Sequence, residues 1–336
     1  MKISHQISFS ILYLLIIFFS CPIYAQDAHK LTRHNTPDNK NICTNYDQRR
    51  IIAIGDVHGD LDTTLTALRL AGAINKHNNW VGGDLIVVQT GDVLDRGDDD
   101  IAILNFFEKL KVEASKTGGE FIMLNGNHEL LNIEGVMKYV TPGGIKASEN
   151  IKNLDLNRPE LNNVPNDIKS RVAAFMPGGP YANMLAKNKV ILHLGDTVFV
   201  HGGLLPTAIA YGTDRINTET QAWMRGEIVE PPIMRSPDSP VWVRTFSFGI
   251  GDSDHSLWHR ILSLFTGKTD CALLTKVLKS LNAKRMVVGH TVQKNGITSA
   301  CNGKIWRIDV GMAYFYGGNI EILEIVGSNI TILREK

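Results

Sequence analysis

The 336-residue chain has few cysteines, no surplus of charge of either sign and no long apolar segment. Its 4 cysteines are too few for a disulfide scaffold. The 35 Lys and Arg residues are balanced by 34 Asp and Glu residues, so the basic excess of a general nucleic-acid binder is missing, and we expect no nucleic-acid partner. The remaining composition, with 43% hydrophobic residues, is that of a globular protein and excludes a collagen, a coiled coil and a wholly disordered chain.

An uncharged, mostly apolar run lies near the N-terminus. Lys2 precedes the run from Ile7 to Phe19, and the small residue Ala25 stands where a signal peptidase would cut. The run is shorter than the roughly 20 residues that span a bilayer. The sequence therefore predicts a signal peptide at residues 1–25, export to the periplasm or the medium, and no stable membrane span after cleavage. An uncleaved N-terminal anchor is the alternative.

Export implies an oxidising compartment, in which cysteines can pair. After cleavage the chain keeps Cys43, Cys271 and Cys301, which is an odd number. A bridge between Cys271 and Cys301 and two separate buried thiols both fit the sequence, because geometry decides between them.

The segment at residues 26–48 is polar and unpatterned, and we interpret it as a linker before one domain at 49–336. In that domain strands alternate with helices, as in the βαβ units of a parallel sheet. The predicted strands lie at 50–54, 84–90 and 120–124, and the predicted helices at 62–71 and 99–114.

The second half of the domain is patterned differently. Residues 135–188 are rich in Asn, Lys, Pro and Gly, and we expect an insertion of loops and short helices over the site. Further predictions are a hairpin at 189–200, helices at 254–265 and 270–281, a strand at 285–288, and strands at 305–310, 320–326 and 330–333. We expect these last strands to complete a second, mostly antiparallel set. The predicted fold class is α/β with four layers, in which two packed mixed β-sheets are flanked by helices.

Five glycine-containing motifs follow predicted strands. They are Gly55-Asp-Val-His-Gly-Asp60, Gly91-Asp-Val-Leu-Asp-Arg-Gly97, Gly126-Asn-His-Glu129, His201-Gly-Gly203 and Gly289-His-Thr291. The carboxyl ends of strands form the binding crevice of an open α/β sheet, so we expect their polar side chains to meet there. The side chains are those of Asp56, His58, Asp92, Asn127, His201 and His290. Carboxylate, imidazole and amide groups form a metal-ligand set, large enough for two ions if Asp92 bridges them.

These motifs resemble the signature of the calcineurin-like metallophosphoesterases, in their phosphoprotein-phosphatase branch. That signature reads GDxHG, GDxxDRG, GNHE, HGG and a later GH, and all five elements occur here in order. Val288-Gly-His-Thr-Val-Gln293 and Arg307-Ile-Asp-Val-Gly-Met312 are similar to the GHTxQ and RIDVGM endings of the Shewanella-like phosphatases.

The resemblance implies a role for each site residue. It implies that one divalent ion is held by Asp56, His58 and Asp92, and a second by Asp92, Asn127, His201 and His290. Mn is the favoured metal, with Fe and Zn as alternatives. The resemblance also implies that Arg96 and Asn127 bind phosphate, that His128 is the general acid, and that Asp95 orients His128. Arg244 is our candidate for a second arginine on the phosphate, and Arg225 competes with it.

The function implied is that of an exported phosphatase, which hydrolyses phosphomonoesters on Ser, Thr or Tyr of phosphorylated protein or peptide substrates. The reaction is expected to be direct attack by a metal-bridging hydroxide, without a phospho-enzyme. A bis(5'-nucleosyl)-tetraphosphate hydrolase is an alternative that needs aromatic rings for base stacking, for which Tyr139, Tyr181 and Tyr211 are candidates. An inactive phosphopeptide-binding protein is another. The sequence leaves open the choice between Ser/Thr and Tyr, the metal pair and the oligomeric state.

Overall fold

The computed structural model of the protein describes residues 49–248 and 270–335. The predicted signal peptide, the predicted linker and the predicted helix at 254–265 lie outside these residues. Within the described ranges, no helix combines the length and the apolar character needed to cross a membrane.

The described residues form ten strands and ten α-helices, with one short 3-10 helix at Pro159–Leu161. The strands are β1 (Arg50–Ile54), β2 (Ile86–Gln89), β3 (Glu120–Met123), β4 (Ile191–Leu194), β5 (Thr197–Val200), β6 (Arg285–Val288), β7 (Thr298–Ala300), β8 (Ile305–Arg307), β9 (Glu321–Val326) and β10 (Asn329–Arg334). The helices are α1 (Leu61–Leu70), α2 (Asp100–Ser115), α3 (Asn127–Ile133), α4 (Pro142–Ser148), α5 (Lys169–Phe175), α6 (Pro180–Leu185), α7 (Pro206–Tyr211), α8 (Thr213–Met224), α9 (Pro232–Arg235) and α10 (Cys271–Ser280).

The strands form two five-stranded mixed sheets, as the sequence predicted. The order in the first sheet is β10-β9-β1-β2-β3, and the order in the second is β4-β5-β6-β8-β7. Strands β1, β2 and β3 run parallel in the first sheet, and β5, β6 and β8 run parallel in the second. Parallel strands present their carboxyl ends at one edge, so each sheet gathers the loops that follow its strands there.

The assignment of the C-terminal strands to the second, mostly antiparallel set is wrong. Strands β9 and β10 belong to the first sheet, where β9 pairs antiparallel with β1. Most side chains of β9 are buried, while β10 lies half-exposed at the sheet edge. In the second sheet, β8 pairs with β6 in the parallel direction. The apolar runs identify these segments as strands, but which strand each run joins depends on long-range packing.

One hydrophobic core contains residues of both sheets and of the flanking helices. Ile52 and Val87 of the first sheet are fully buried, as are Phe199 and Val287 of the second. Leu68 of α1 is fully buried in the same core. Apolar side chains on both sides of a sheet bury their surface against helices and against the other sheet, which holds the strand ends in fixed positions.

A disulfide joins Cys271 to Cys301, with the two Cα atoms 5.4 Å apart. It connects the first residue of α10 to the turn between β7 and β8. Of the two arrangements that the sequence left open, the structure therefore shows the bridge.

The segment at residues 135–188 forms short helices and no strand, as the sequence predicted. The fully buried Arg171 of α5 anchors it. The Arg171 guanidinium donates hydrogen bonds to Asp100 at 3.1 and 2.7 Å and to the side-chain oxygen of Asn132 at 2.9 Å. Asn132 in turn donates to Asp95 at 2.9 Å, so the segment supports a residue of the predicted site. Its position over the site stays a prediction.

Candidate metal centre

Asp92 lies at the centre of the predicted site. Its Oδ2 atom is 3.2 Å from Nε2 of His201, 3.8 Å from Nε2 of His58 and 3.9 Å from Nε2 of His128. All four residues are buried. Burial raises the pKa of Asp92, but the neighbouring imidazoles, when protonated, outweigh burial and hold that pKa well below its ordinary value. The loop after β2 thus places one carboxylate among three imidazole rings.

The other predicted ligands lie around the same carboxylate. Nε2 of His201 is 2.9 Å from Oδ1 of Asn127 and 3.1 Å from Nδ1 of His290. The Asp56 carboxylate accepts a hydrogen bond from the backbone N–H of His290 at 3.1 Å and lies 3.9 Å from Nδ1 of His201. The structure therefore brings together all six residues that the sequence named as metal ligands.

Two groups of potential ligand atoms share Asp92. One contains His58, Asp92 and His128, and the other contains Asp92, His201 and His290. Within each group the ligand atoms lie within 4.8 Å of one another. The presence of His128 in the first group was not predicted, since the family resemblance implies that this residue is the general acid.

The protonation of the histidines fits a metal centre. Nδ1 of His58 faces the carbonyl oxygen of Leu94 at 3.1 Å, and Nδ1 of His201 faces that of Thr90 at 3.0 Å. A carbonyl oxygen only accepts, so Nδ1 carries the proton and the lone pair lies on Nε2. Nε2 of His290 is buried without a hydrogen-bond partner among the described residues.

Burial lowers the pKa of His58 to about 4 and that of His290 well below its ordinary value. Neutral imidazole nitrogens, carboxylate oxygens and amide oxygens are electron-pair donors of the kind that bind divalent metal ions, so the residues fit such ions.

The loops that carry these ligands are tied together by Glu129. Its buried carboxylate accepts hydrogen bonds from the backbone N–H groups of Asp92 at 2.8 Å, Val93 at 2.9 Å and Gly126 at 2.7 Å. The loops also approach closely, because a Cβ atom on Gly126 would lie 2.3 Å from Oδ1 of Asp92. Glycine at this position allows the two motifs to meet.

His128 is held by a buried carboxylate. Its Nδ1 atom lies 2.5 Å from Oδ2 of Asp95, which is fully buried. Burial lowers the pKa of His128, but the charge of Asp92 and the hydrogen bond to Asp95 outweigh it, and the pKa lies above its ordinary value. The Asp95 contact leaves Nε2 of His128 facing the metal centre.

The Arg96 guanidinium lies between two aromatic rings. Its central carbon is 4.3 Å from the centroid of the Tyr139 ring and 4.8 Å from that of the Phe315 ring. The backbone N–H of Arg96 also donates to the carbonyl oxygen of Tyr139 at 3.0 Å. The sequence suggests Tyr139 only as a base-stacking candidate and gives no sign of Phe315, because no sequence pattern shows which rings meet an arginine.

The other two aromatic candidates make contacts elsewhere. The Tyr181 hydroxyl hydrogen bonds with Asn105, and the Tyr211 hydroxyl with Glu219. Of the three tyrosines named from the sequence, Tyr139 is the one that contacts residues of the predicted site.

Arg244 lies beside the metal centre. Its Nη1 atom donates hydrogen bonds to the carbonyl oxygen of His290 and to the Thr291 hydroxyl, both at 2.8 Å. Its competitor Arg225 is exposed and forms an ion pair with Glu227. Of the two candidates, Arg244 is therefore the one that lies at the predicted site.

Comparison with known proteins decides the family. Residues 49–294 match the family model described as calcineurin-like phosphoesterase. The chain belongs to this family. It is 38% identical to Shewanella-like protein phosphatase 2 of Arabidopsis thaliana, over 88% of this chain and 80% of that protein. It is 32% identical to Shewanella-like protein phosphatase 1 of Plasmodium berghei (strain Anka), over 79% of this chain and 68% of that protein. The resemblance drawn from the motifs is confirmed, and the chain is a metal-dependent phosphatase.

Solved structures of phosphatases share the fold. A cold-active protein-tyrosine phosphatase of a psychrophilic Shewanella species superposes with a TM-score of 0.62 at 22% identity, over 85% of this chain and 81% of that one. A protein serine/threonine phosphatase of Saccharomyces cerevisiae superposes with a TM-score of 0.53 at 15% identity, over 86% of this chain and 81% of that one. These superpositions confirm the predicted arrangement of two sheets flanked by helices.

Proposed function

We propose that this phosphatase hydrolyses phosphomonoesters on Ser, Thr or Tyr of phosphoproteins at a site for two divalent ions. The observation that carries the proposal is the buried Asp92 carboxylate, which is shared by two groups of histidines. The Shewanella-like protein phosphatases among the relatives support a phosphoprotein substrate.

The ligands are divided as the family resemblance implies. One ion would be held by Asp56, His58 and Asp92, and the other by Asp92, Asn127, His201 and His290. When bound, two divalent ions polarise the phosphoryl oxygens and make water nucleophilic at neutral pH. We propose Mn as the activating metal, with Fe and Zn as alternatives, because the ligands are carboxylate, amide and imidazole groups.

Three side chains bind the phosphoryl group in this proposal. The guanidinium groups of Arg96 and Arg244 donate charge-assisted hydrogen bonds to its oxygens, and the Asn127 amide adds a further contact. The buried Nε atom of Arg96 has no hydrogen-bond acceptor among the described residues. The spread of charge over the phosphoryl oxygens during transfer makes such donors effective.

His128 protonates the leaving group. A water molecule loses a proton to solvent, and the resulting hydroxide oxygen bonds to phosphorus as the bond to the serine, threonine or tyrosine oxygen breaks. That leaving oxygen takes a proton from Nε2 of His128, while Asp95 holds the ring through Nδ1. His128 then regains a proton from solvent. The two described cysteines are joined to each other, so neither supplies a thiolate for a phospho-enzyme.

A bis(5'-nucleosyl)-tetraphosphate hydrolase is the second candidate. Two exposed rings at the site favour it, because bases can stack on them. Trp242 is 38% exposed, with its ring centroid 5.8 Å from that of His290, and Phe315 is 55% exposed beside Arg96.

The substrate panel separates the two candidates. We would strip the protein without residues 1–25 of metal, add Mn, and compare kcat/KM for a phosphotyrosine peptide, a phosphoserine peptide and diadenosine tetraphosphate. We expect a phosphopeptide to be the better substrate, and the better of the two peptides then defines the residue class. Faster hydrolysis of the dinucleotide would refute the proposal and favour the second candidate.

We also propose that the protein is exported after cleavage of residues 1–25. The disulfide between Cys271 and Cys301 supports export, since disulfides persist in oxidising compartments. Intact-mass measurement of the protein from cell fractions is the test. The expected species begins at residue 26 and lies outside the cytosol, and an uncleaved cytosolic chain would refute export.

A further inference from the structure

A groove of about 550 Å³ opens beside the metal centre. Its apolar lining includes Ile133, Trp223, Met234 and Trp242. The Trp242 ring also lies edge-on to the ring of His290, with 5.8 Å between the centroids. Trp242 therefore contacts both the groove and the metal centre.

The groove also contains charged side chains that do not balance. Two carboxyl groups, those of Glu134 and Glu230, line it together with one guanidinium, that of Arg235. Arg235 donates to Oε2 of Glu230 but is itself mostly exposed to solvent, with 73% of its side chain accessible. Burial, the charge of Glu230 and a hydrogen bond between the two carboxyl groups raise the pKa of Glu134, whereas Arg235 lowers it, so the three side chains lie close together. When both carboxyl groups are ionised, the cluster carries one net negative charge, and a bound cation would favour that state.

Glu230 supplies an unsatisfied acceptor. Its side chain is only 2% exposed, and its Oε1 atom is buried where no N–H or hydroxyl donor of the described residues reaches it. A buried carboxylate oxygen without a donor costs free energy, which a donor from a bound ligand can recover. The groove is therefore suited to a ligand that carries N–H donors and a positive charge.

The apolar lining further restricts the class of ligand that fits the groove. Lysine and arginine have long alkyl stems that pack on apolar surface, with the charge at the tip. Indole rings such as those of Trp223 and Trp242 also attract cations. A basic side chain of a peptide can thus pack its alkyl stem on the apolar lining and pair its charge with the carboxyl groups.

The length of α3 indicates how many residues would separate such a basic side chain from the phosphorylated residue of a substrate peptide. This helix begins at the proposed ligand Asn127, and Glu134 caps its C-terminal end. Seven helical residues span about 10 Å. An extended peptide covers that distance in about three residues.

We propose that the groove binds an arginine or lysine side chain of the phosphoprotein substrate, within about three residues of the phosphorylated residue. This rests on the proposed function, because it assumes a peptide substrate. The groove then selects phosphorylation sites that lie in basic sequence, by pairing the substrate cation with Glu230 and Glu134.

The test compares matched phosphopeptides on the metal-loaded protein. One peptide is neutral around the phosphorylated residue, a second set carries a single arginine at each of the flanking positions, and a third set carries glutamate there. We expect one arginine peptide to exceed the neutral peptide about tenfold in kcat/KM, as a charged hydrogen bond in a partly buried site does. The glutamate peptides should be slower than the neutral one.

Variants locate the effect in the groove. Glu230→Gln should reduce the ratio of arginine to neutral peptide to near one, and Glu134→Gln, at a less buried position, should reduce it in part. Glu227→Gln is the matched control, since Glu227 lies in the same loop but is exposed and pairs with Arg225. It should keep the full preference. Because each variant is judged by a ratio, a loss of folded protein does not imitate the result.

Two outcomes would overturn the inference, and they differ from failure of the proposed function. Equal rates for arginine and neutral peptides in the wild-type protein refute the groove as a basic subsite. A preference that survives unchanged in both Glu230→Gln and Glu134→Gln refutes it too. If neither peptide is hydrolysed while diadenosine tetraphosphate is, the phosphoprotein proposal itself fails and the subsite fails with it.

Discussion

Asp92 adopts a left-handed backbone conformation, with φ at 57°, and so do Asp95 and Arg96, each with φ at 69°. His58 and His290 share this uncommon region, with φ at 41° and 67°. Each such residue costs of order 1–3 kcal/mol and persists only where its surroundings hold it. Here the Glu129 carboxylate and the tight glycine contacts hold the loops. The side chains of the site are therefore positioned before any substrate binds.

The rings around Arg96 should matter for phosphate binding. We expect Tyr139→Ala or Phe315→Ala to lower kcat/KM for a phosphopeptide by about three- to tenfold, because each ring contributes a cation–π contact of about 1 kcal/mol. The inhibition constant of inorganic phosphate should rise in parallel. Tyr139→Phe keeps the ring and should retain activity.

Tyr314→Ala is the control for these two variants. Tyr314 is adjacent to Phe315 and 93% exposed, and its backbone N–H donates a hydrogen bond to Asp60. If Tyr139→Ala and Phe315→Ala behave like Tyr314→Ala, the rings do not position Arg96.

Substrates with different leaving groups can show whether His128 acts as a general acid or as a metal ligand. A general acid is needed to protonate the alkoxide that leaves from phosphoserine. It is hardly needed for p-nitrophenolate, which leaves without a proton. We expect His128→Asn to lower the rate on a phosphoserine peptide by about 10²–10⁴ and the rate on p-nitrophenyl phosphate far less. An equal loss on both substrates, together with weaker metal binding, would instead make His128 a ligand beside His58 and Asp92.

At the scale of the secondary-structure elements, the sequence predicts the loops that follow the strands. It does not predict how the other elements pack around those loops. Apolar runs followed by Gly-Asp or Gly-Asn identify β1, β2 and β3 and the ligands after them, because carboxyl ends of parallel strands meet. No comparable pattern exists for the groove. Glu230 lies in a short loop between α8 and α9, and only the folded chain shows that its Oε1 atom is buried where no N–H or hydroxyl donor of the described residues reaches it.

The disulfide should stabilise the element that it anchors. It closes a loop with a sequence separation of 30 residues, for which a cross-link contributes about 3–4 kcal/mol. We expect reduction to lower the Tm by several degrees, measured by differential scanning fluorimetry with and without dithiothreitol. A variant carrying both Cys271→Ser and Cys301→Ser should start at the lower Tm and not respond to the reductant. A wild-type Tm that is unchanged by reduction would contradict this stabilisation.

At the scale of the whole molecule, two sheets each contribute predicted metal ligands to one site. The first sheet supplies Asp56, Asp92 and Asn127 through its parallel strands, and the second supplies His201 and His290 through β5 and β6. The sequence predicted two mixed sheets but misplaced β9 and β10, because an apolar run does not encode its pairing partner. That error left the site unaffected, since none of its predicted residues lies on those two strands.

Metal stoichiometry tests the shared carboxylate most directly. Mn bound per chain would be measured by mass spectrometry of the metal after dialysis, in the wild-type protein, in Asp92→Asn, and in His193→Asn, a control that changes an exposed histidine of β4. We predict about two Mn per chain in the wild-type and His193→Asn proteins, and less than about one in Asp92→Asn, with loss of phosphopeptide hydrolysis. A wild-type protein that binds one ion at full activity, or an Asp92→Asn protein that keeps both ions, would contradict the shared dimetal site.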